Sequence, residues 1–245
     1  MSGRAILTYH SLDDSGSVIS VRPALFERQM EALAGARVKV VRLTELVSAP
    51  PPALALTFDD GFQNFADVAA RALGHHGFPA TVFLVTDYCG RRNDWPTQPE
   101  GIPRLPLMDW SCIRTLSGAG IEFGAHTATH PYLTAIREAE AREEILTSKQ
   151  RIEDAIGQPV RAFAYPFGAT SGPVRRMVKE YFTVGCSTRL GWVSPSSRPE
   201  ALERLDVYYL SHLYLFRHLF QSSARWYLGL RSLAREWNAP QVPSS

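Results

Sequence analysis

Leu54-Ala55-Leu56-Thr57-Phe58-Asp59-Asp60-Gly61 is an apolar, β-rich run that ends abruptly in two adjacent carboxylates and a glycine. A strand without polar alternation reads as covered on both faces, the condition of a parallel sheet flanked by helices. Two charges at the end of such a strand are costly unless something compensates them. In a barrel that end faces the catalytic mouth, and side-chain alternation points neighbours in different directions, which suits Asp59 and Asp60 to different roles. An ordinary Asp-Asp-Gly turn produces the same letters, so the stretch needs support from the rest of the chain.

Outward from it, short apolar runs alternate with helical patterns along nearly the whole sequence. Strands are expected at residues 5–9, 38–42, 53–58, 80–85, 121–124, 162–165, 182–186 and 205–207, and helices at 24–34, 65–74, 136–156 and 174–181. Thr134 is the expected N-cap of the third helix, whose isoleucines 136, 145, 152 and 156 recur among charged residues. Seven or eight βα units within 245 residues predict an α/β fold closed into a distorted (β/α)7-8 barrel. Residues 88–108, with four prolines beside Asp94-Trp95, break the rhythm as a long loop of the kind that serves a binding site.

Composition narrows the class. With 45% hydrophobic and 20% charged residues the chain can bury a core, which excludes disorder and a disulfide-stapled miniprotein. Twenty-six basic against 24 acidic side chains, net +2, argue against nucleic acid as the partner. Cys89, Cys112 and Cys186 are odd in number and far apart, offering neither a metal knuckle nor a disulfide framework, and are read as reduced and mostly buried. With no long apolar segment in the sequence, a cytoplasmic location is the expectation.

A second strand, at 121–124, runs straight into His126-Thr127-Ala128-Thr129-His130-Pro131. Two histidines four apart behind a strand can close on one ion, and with a carboxylate they form the three-ligand, open-position pattern of a hydrolytic metal site. The same spacing also fits a surface turn with two solvated imidazoles. His75-His76, before Gly77, reads instead as a helix C-terminal interaction. A third strand leads into Tyr165-Pro166-Phe167-Gly168, a turn able to aim the Phe167 N–H at a developing oxyanion, although Tyr165 and Phe167 also fit a role as core aromatics.

Together these segments resemble the polysaccharide deacetylases, the carbohydrate esterase family 4 or NodB-homology group. Thr57 to Gly61 is similar to the first motif of that family, His126 to His130 to its second, and Phe163 to Gly168 to its third, in the same order over residues 4–207. The resemblance implies a barrel of the NodB type, Asp59 as general base, and Asp60, His126 and His130 as ligands of one divalent ion, zinc with cobalt or nickel as substitutes. It further implies hydrolysis of an N-acetyl amide on a carbohydrate, N-acetylglucosamine units of an oligo- or polysaccharide, with release of acetate. Leu7-Thr8-Tyr9-His10-Ser11 resembles the poly-N-acetylglucosamine deacetylase subgroup, which carries its catalytic acid after the first strand, so His10 is the expected proton donor and His212, in Leu210-Ser211-His212, the competitor.

Two departures stand out. The arginine usual before the third motif is replaced by Ala164, leaving Arg204, or else Arg161, to orient Asp59, and the usual fourth motif is absent apart from Gly191-Trp192. Tyr165, Trp95 and Trp192, with Trp110, are the candidate substrate-binding aromatics. Competing functions are hydrolysis of another non-peptide amide by the same site, and a carbohydrate-binding protein whose site has decayed.

The expected division is a catalytic domain at 1–207 and an aromatic, basic helical extension at 208–245. Phe216, Leu219, Phe220, Tyr227, Leu230 and Trp237 recur there near helical spacing, with arginines 217, 225, 231 and 235. Two readings fit. The extension packs on the barrel, or it docks on an anionic membrane face or a polysaccharide-assembly partner, which would make the enzyme peripheral to the inner face of the membrane.

Overall fold

The computed structural model describes residues 3–237, with side-chain surroundings as far as Ser232. The Arg235 and Trp237 side chains and residues 238–245, part of the expected helical extension, lie outside the described residues.

Eight strands form one parallel system: β1 (Arg4–Tyr9), β2 (Lys39–Val40), β3 (Ala53–Phe58), β4 (Thr81–Leu84), β5 (Glu122–Ala125), β6 (Ala162–Ala164), β7 (Val184–Leu190) and β8 (Leu202–Asp206). Pairing of β1 with both β3 and β8 closes seven of them into a ring. β2 stands outside it, sharing the edge of β3 with β4: it meets Ala53 and Leu54, whereas β4 meets Thr57 and Phe58. The expected (β/α) barrel is therefore seven-stranded. Every residue of β3 is buried, as its unbroken apolar pattern requires.

Around the ring lie α1 (Pro23–Ala34), α2 (Ala70–His76), α3 (Trp110–Gly118), α4 (Glu138–Ile156) and α5 (Gly172–Tyr181). A π-helical turn, Phe65–Ala69, leads into α2, which ends on Gly77 in the left-handed conformation, with His75 and His76 in its last turn as expected. The expected cap of α4 moves. Thr134 lies in a turn in which the Ala135 N–H bonds the Tyr132 carbonyl, and α4 starts after Arg137, whose N–H donates to Glu140 Oε2 at 3.0 Å. A glutamate reaching back from the first turn thus caps this helix where a hydroxyl was expected.

The last two strands shift relative to expectation, to Val184–Leu190 and Leu202–Asp206. Charged residues obscured them in the sequence: Arg189 pairs with Glu203 at 2.9 Å, and Arg204 turns inward to a buried partner. The long loop is folded rather than open. Buried Asn93 accepts from the Leu105 N–H and donates to the Pro103 carbonyl, and the Met108 N–H donates to the Gly61 carbonyl, pinning the loop to the Asp-Asp-Gly turn.

Beyond β8, α6 (Leu213–Arg217) and α7 (Ser222–Trp237) pack on the barrel. Phe216, Leu219, Phe220, Ala224 and Leu228 are buried, while Trp226 is 72% and Tyr214 65% exposed. No helix among the described residues is long and apolar enough to cross a membrane. All three cysteines are free; only Cys186 is fully buried, Cys89 and Cys112 being half-buried.

Candidate active site

The carboxyl end of β3 builds the centre. The Asp59 N–H extends the ladder to the Tyr9 carbonyl at 2.9 Å, and then Asp60 turns into the left-handed region at φ 71°. This turn separates the two carboxylates, at a backbone cost of about 1 kcal/mol for a residue other than glycine. Gly61, at φ 76°, follows in a conformation that favours glycine, and an added Cβ would press 2.7 Å from the Leu84 Cδ2 methyl.

Asp59 faces Arg204. Guanidinium Nη1 and Nη2 donate to Oδ1 and Oδ2 at 2.7 Å each, while Nε donates to the Ser187 carbonyl at 2.9 Å. Burial alone would raise the Asp59 pKa. The charge and bonds of Arg204, aided by His10 and His126, outweigh it and hold the carboxyl far below the usual range. His10, partly exposed just past β1, places Nε2 3.8 Å from Asp59 Oδ2. Of the two arginines considered, Arg204 is thus the one at Asp59; Arg161 is exposed at the start of β6, the opposite end of the barrel.

Asp60 faces the histidines. Its Oδ1 lies 3.5 Å from His126 Nε2 and 3.6 Å from His130 Nε2, and the two nitrogens are 3.2 Å apart. All three residues are buried, and Asp60 Oδ1 has no hydrogen-bond partner. His126 Nδ1 donates to the Ala164 carbonyl at 2.7 Å, which fixes a proton on that nitrogen and aims Nε2 inward, while against the effect of burial Asp60 and Asp59 raise the ring's pKa above its ordinary value. Burial and the neighbouring His126 push the His130 pKa down to about 3, so this ring is neutral. Two inward-facing ring nitrogens and an orphaned carboxylate oxygen converge there, a donor set that suits a cation. The separations fit one: a tetrahedral ion with bonds of about 2.0–2.1 Å places its donors about 3.3 Å apart.

The backbone between the histidines is strained, with Thr127 at φ 69° and His130 at φ 63°. Thr127 Oγ1 accepts from the His130 N–H at 3.0 Å, and Thr97 of the long loop donates to the His130 carbonyl at 2.6 Å. Glu144 of α4 accepts from the N–H groups of Ala128 and Thr129 and from the Thr129 hydroxyl. The β6 turn closes the rim: Phe167, at φ 56°, lies edge-on to the His130 ring at 4.6 Å and stacks on Tyr132 at 4.0 Å. Its N–H has no hydrogen-bond partner among the described residues. Gly168 is held so close to Thr188 that an added Cβ would lie 1.9 Å from Oγ1.

The structure therefore brings Asp59, Asp60, His126, His130, Arg204, His10 and Phe167 together. Of the aromatic substrate-binding candidates, Trp95 adjoins this centre and Trp192 does not. Tyr165 is fully buried and donates its hydroxyl to the Glu200 carbonyl at 2.6 Å. Trp95 is 2% exposed and packs on His130 at 4.4 Å, so it backs the centre without presenting a face to solvent. Trp192 stacks under Arg225 of α7, and the next residue, Val193, bridges Arg4 at the far end of β1 from His10. Trp110 opens α3. His212 is an exposed residue at the start of α6. Sequence reasoning missed Glu144, Thr97 and Tyr132, whose roles depend on contacts between distant segments and leave no local pattern.

Residues 47–183 match the polysaccharide deacetylase family, and the chain belongs to it. It is thereby a hydrolase of the carbohydrate esterase type. It is 23% identical over 210 residues, 82% of its length and 70% of the relative's, to Bacillus subtilis YxkH, which bears the polysaccharide deacetylase name. To the chitooligosaccharide deacetylase of Bradyrhizobium it is 34% identical over 116 residues, 46% of this chain and 45% of that one, so it spans under half the length of that relative. The solved structure of IcaB from Ammonifex degensii superimposes with a TM-score of 0.74 at 22% identity, covering 84% of this chain and 92% of that one, a likeness of fold.

Proposed function

We propose that the protein removes the acetyl group from N-acetylglucosamine units of an oligo- or polysaccharide by hydrolysis, using one divalent ion of the zinc type held by Asp60, His126 and His130. The observation that carries the reading is the juxtaposition of two differently prepared carboxylates, Asp59 gripped by Arg204 and Asp60 facing two buried imidazoles.

A divalent ion in that position supplies Lewis acidity, polarising the amide carbonyl and acidifying water. Asp59, ionised and oriented by Arg204, accepts the proton of the attacking water through a lone pair that Arg204 does not use. Phe167 supplies an N–H free to donate to the negative oxygen of the tetrahedral intermediate. His10 gives its proton to the departing amine, leaving acetate and a free amino sugar. Asp59 Oδ2 lies 3.8 Å from His10 Nε2. The buried Asp59–Arg204 pair also argues against a decayed, purely binding site, because burying two charges is costly and a binding module gains nothing from it.

The test is acetate release by the ion-loaded protein across N-acetylglucosamine oligomers, chitin and peptidoglycan fragments. Release from the oligomers, absent in Asp59→Asn, supports the reading; ion binding without acetate release from any N-acetylated sugar would redirect it to another amide.

A further inference from the structure

We propose that Glu144 is a positioning residue that sets the separation of the two histidine nitrogens, an inference that rests on the metal reading of Asp60, His126 and His130. The two rings are held differently. His126 is fixed through its own ring, by the Nδ1 bond to the Ala164 carbonyl at 2.7 Å. His130 Nδ1 is buried without a partner. Its ring is only packed, between Trp95 at 4.4 Å and Phe167 at 4.6 Å, so the place of its Nε2 depends on the backbone that carries it.

That backbone is a strained four-residue return, with left-handed Thr127 and His130 at its two ends. Such conformations persist only where surrounding contacts over-determine them. Glu144 supplies three of those contacts with one carboxylate: Oε2 accepts from the Ala128 and Thr129 N–H groups at 2.9 and 2.8 Å, and Oε1 from the Thr129 hydroxyl at 2.6 Å. Charged acceptors make stronger bonds than neutral ones. Seven residues further along the same helix, Arg151 pairs with Asp87, whose N–H donates to the Ala128 carbonyl at 3.0 Å. α4 thus holds both faces of the peptide between the ligands, and its register is transmitted to the bite of the site.

Glu144→Gln keeps the shape and one acceptor oxygen, whereas Glu144→Ala leaves two N–H groups without their acceptor. The expected result is a dissociation constant for Co2+, read from its visible absorption, that rises about tenfold in Glu144→Gln and more in Glu144→Ala. The absorption bands should shift, and amide exchange at Ala128 and Thr129 should quicken in the ion-free variants. Exposed Glu143→Gln, on the same turn of α4, should match wild type. Folded Glu144→Gln with wild-type affinity, spectrum and exchange would overturn the proposal even if Glu144→Ala fails to fold. If wild type itself binds no Co2+, the metal reading fails; exchange at Ala128 and Thr129 then decides whether Glu144 holds the turn, unchanged rates overturning that as well.

Discussion

Arg204 reaches Asp59 past an intervening strand: the guanidinium of β8 passes β1 and closes on the carboxylate at the end of β3 through two 2.7 Å bonds. Both side chains are almost fully buried, at 2% and 3% exposure. Such a pair is stable only as a pair, because either charge left alone has lost its water without replacement.

Arg204→Met should therefore lower stability by about 3–5 kcal/mol at pH 7, measured by urea denaturation. The pH dependence changes sign with it. In wild type the depressed Asp59 pKa means that the pair's contribution is complete above the unfolded carboxylate value, about 3.9, and is lost only as pH falls from there towards the depressed folded value. Without Arg204 burial dominates and raises the Asp59 pKa, so the acid limb of kcat/KM should move to higher pH. An unmoved limb would show that Arg204 does not govern Asp59.

Asp59→Asn should retain about one ion per chain and lose turnover by several orders of magnitude, because it removes the base but no ligand. Asp60→Asn and His126→Ala should lose both. Metal analysis after gel filtration separates the cases, and an empty site in Asp59→Asn would exchange the two aspartate roles.

His10→Ala should depress kcat at least a hundredfold with unchanged ion content, the usual scale of general acid catalysis. His212→Ala, exposed at the start of α6, should be within twofold of wild type. The reverse pattern would move the acid to the tail.

The tryptophans should separate in kind. Trp95→Leu removes the ring packed 4.4 Å from His130 and should weaken ion retention with little change in KM for the sugar. Trp192→Leu should lower the melting temperature through its contact with Arg225 and leave KM unchanged. A raised KM in the second variant would return Trp192 to the substrate.

Truncation after Val207 removes buried Phe216, Leu219, Phe220, Ala224 and Leu228 and should destabilise the fold by several kcal/mol. A stable, active truncation that fails to cosediment with anionic vesicles, where the full chain does, would assign the tail to membrane docking instead.

What the sequence made legible follows from how local each feature is. β3 was readable to the residue because six buried positions in a row leave only one way to cover them. The grouping of Asp60 with His126 and His130 was foreshadowed because a strand end and a four-residue spacing are local facts. The charged strands β7 and β8 were blurred, since Arg189, Glu203 and Arg204 are satisfied by residues that only the closed sheet brings near. The surroundings of the aromatics were illegible for a related reason: what a tryptophan faces depends on which distant segment lies over it, and nothing within a few residues of Trp95 announces His130.

Closure of the ring has one further consequence. Because β1 adjoins both β3 and β8, the first and last of the described strands are neighbours, and a histidine after residue 9 and an arginine at residue 204 stand at the same carboxylate. Linear order is then a poor guide to catalytic equipment in this architecture. A side chain carried by β1 and one carried by β8 can exchange roles without leaving the same carboxylate, and a sequence that lacks a residue at its customary place need not lack the group.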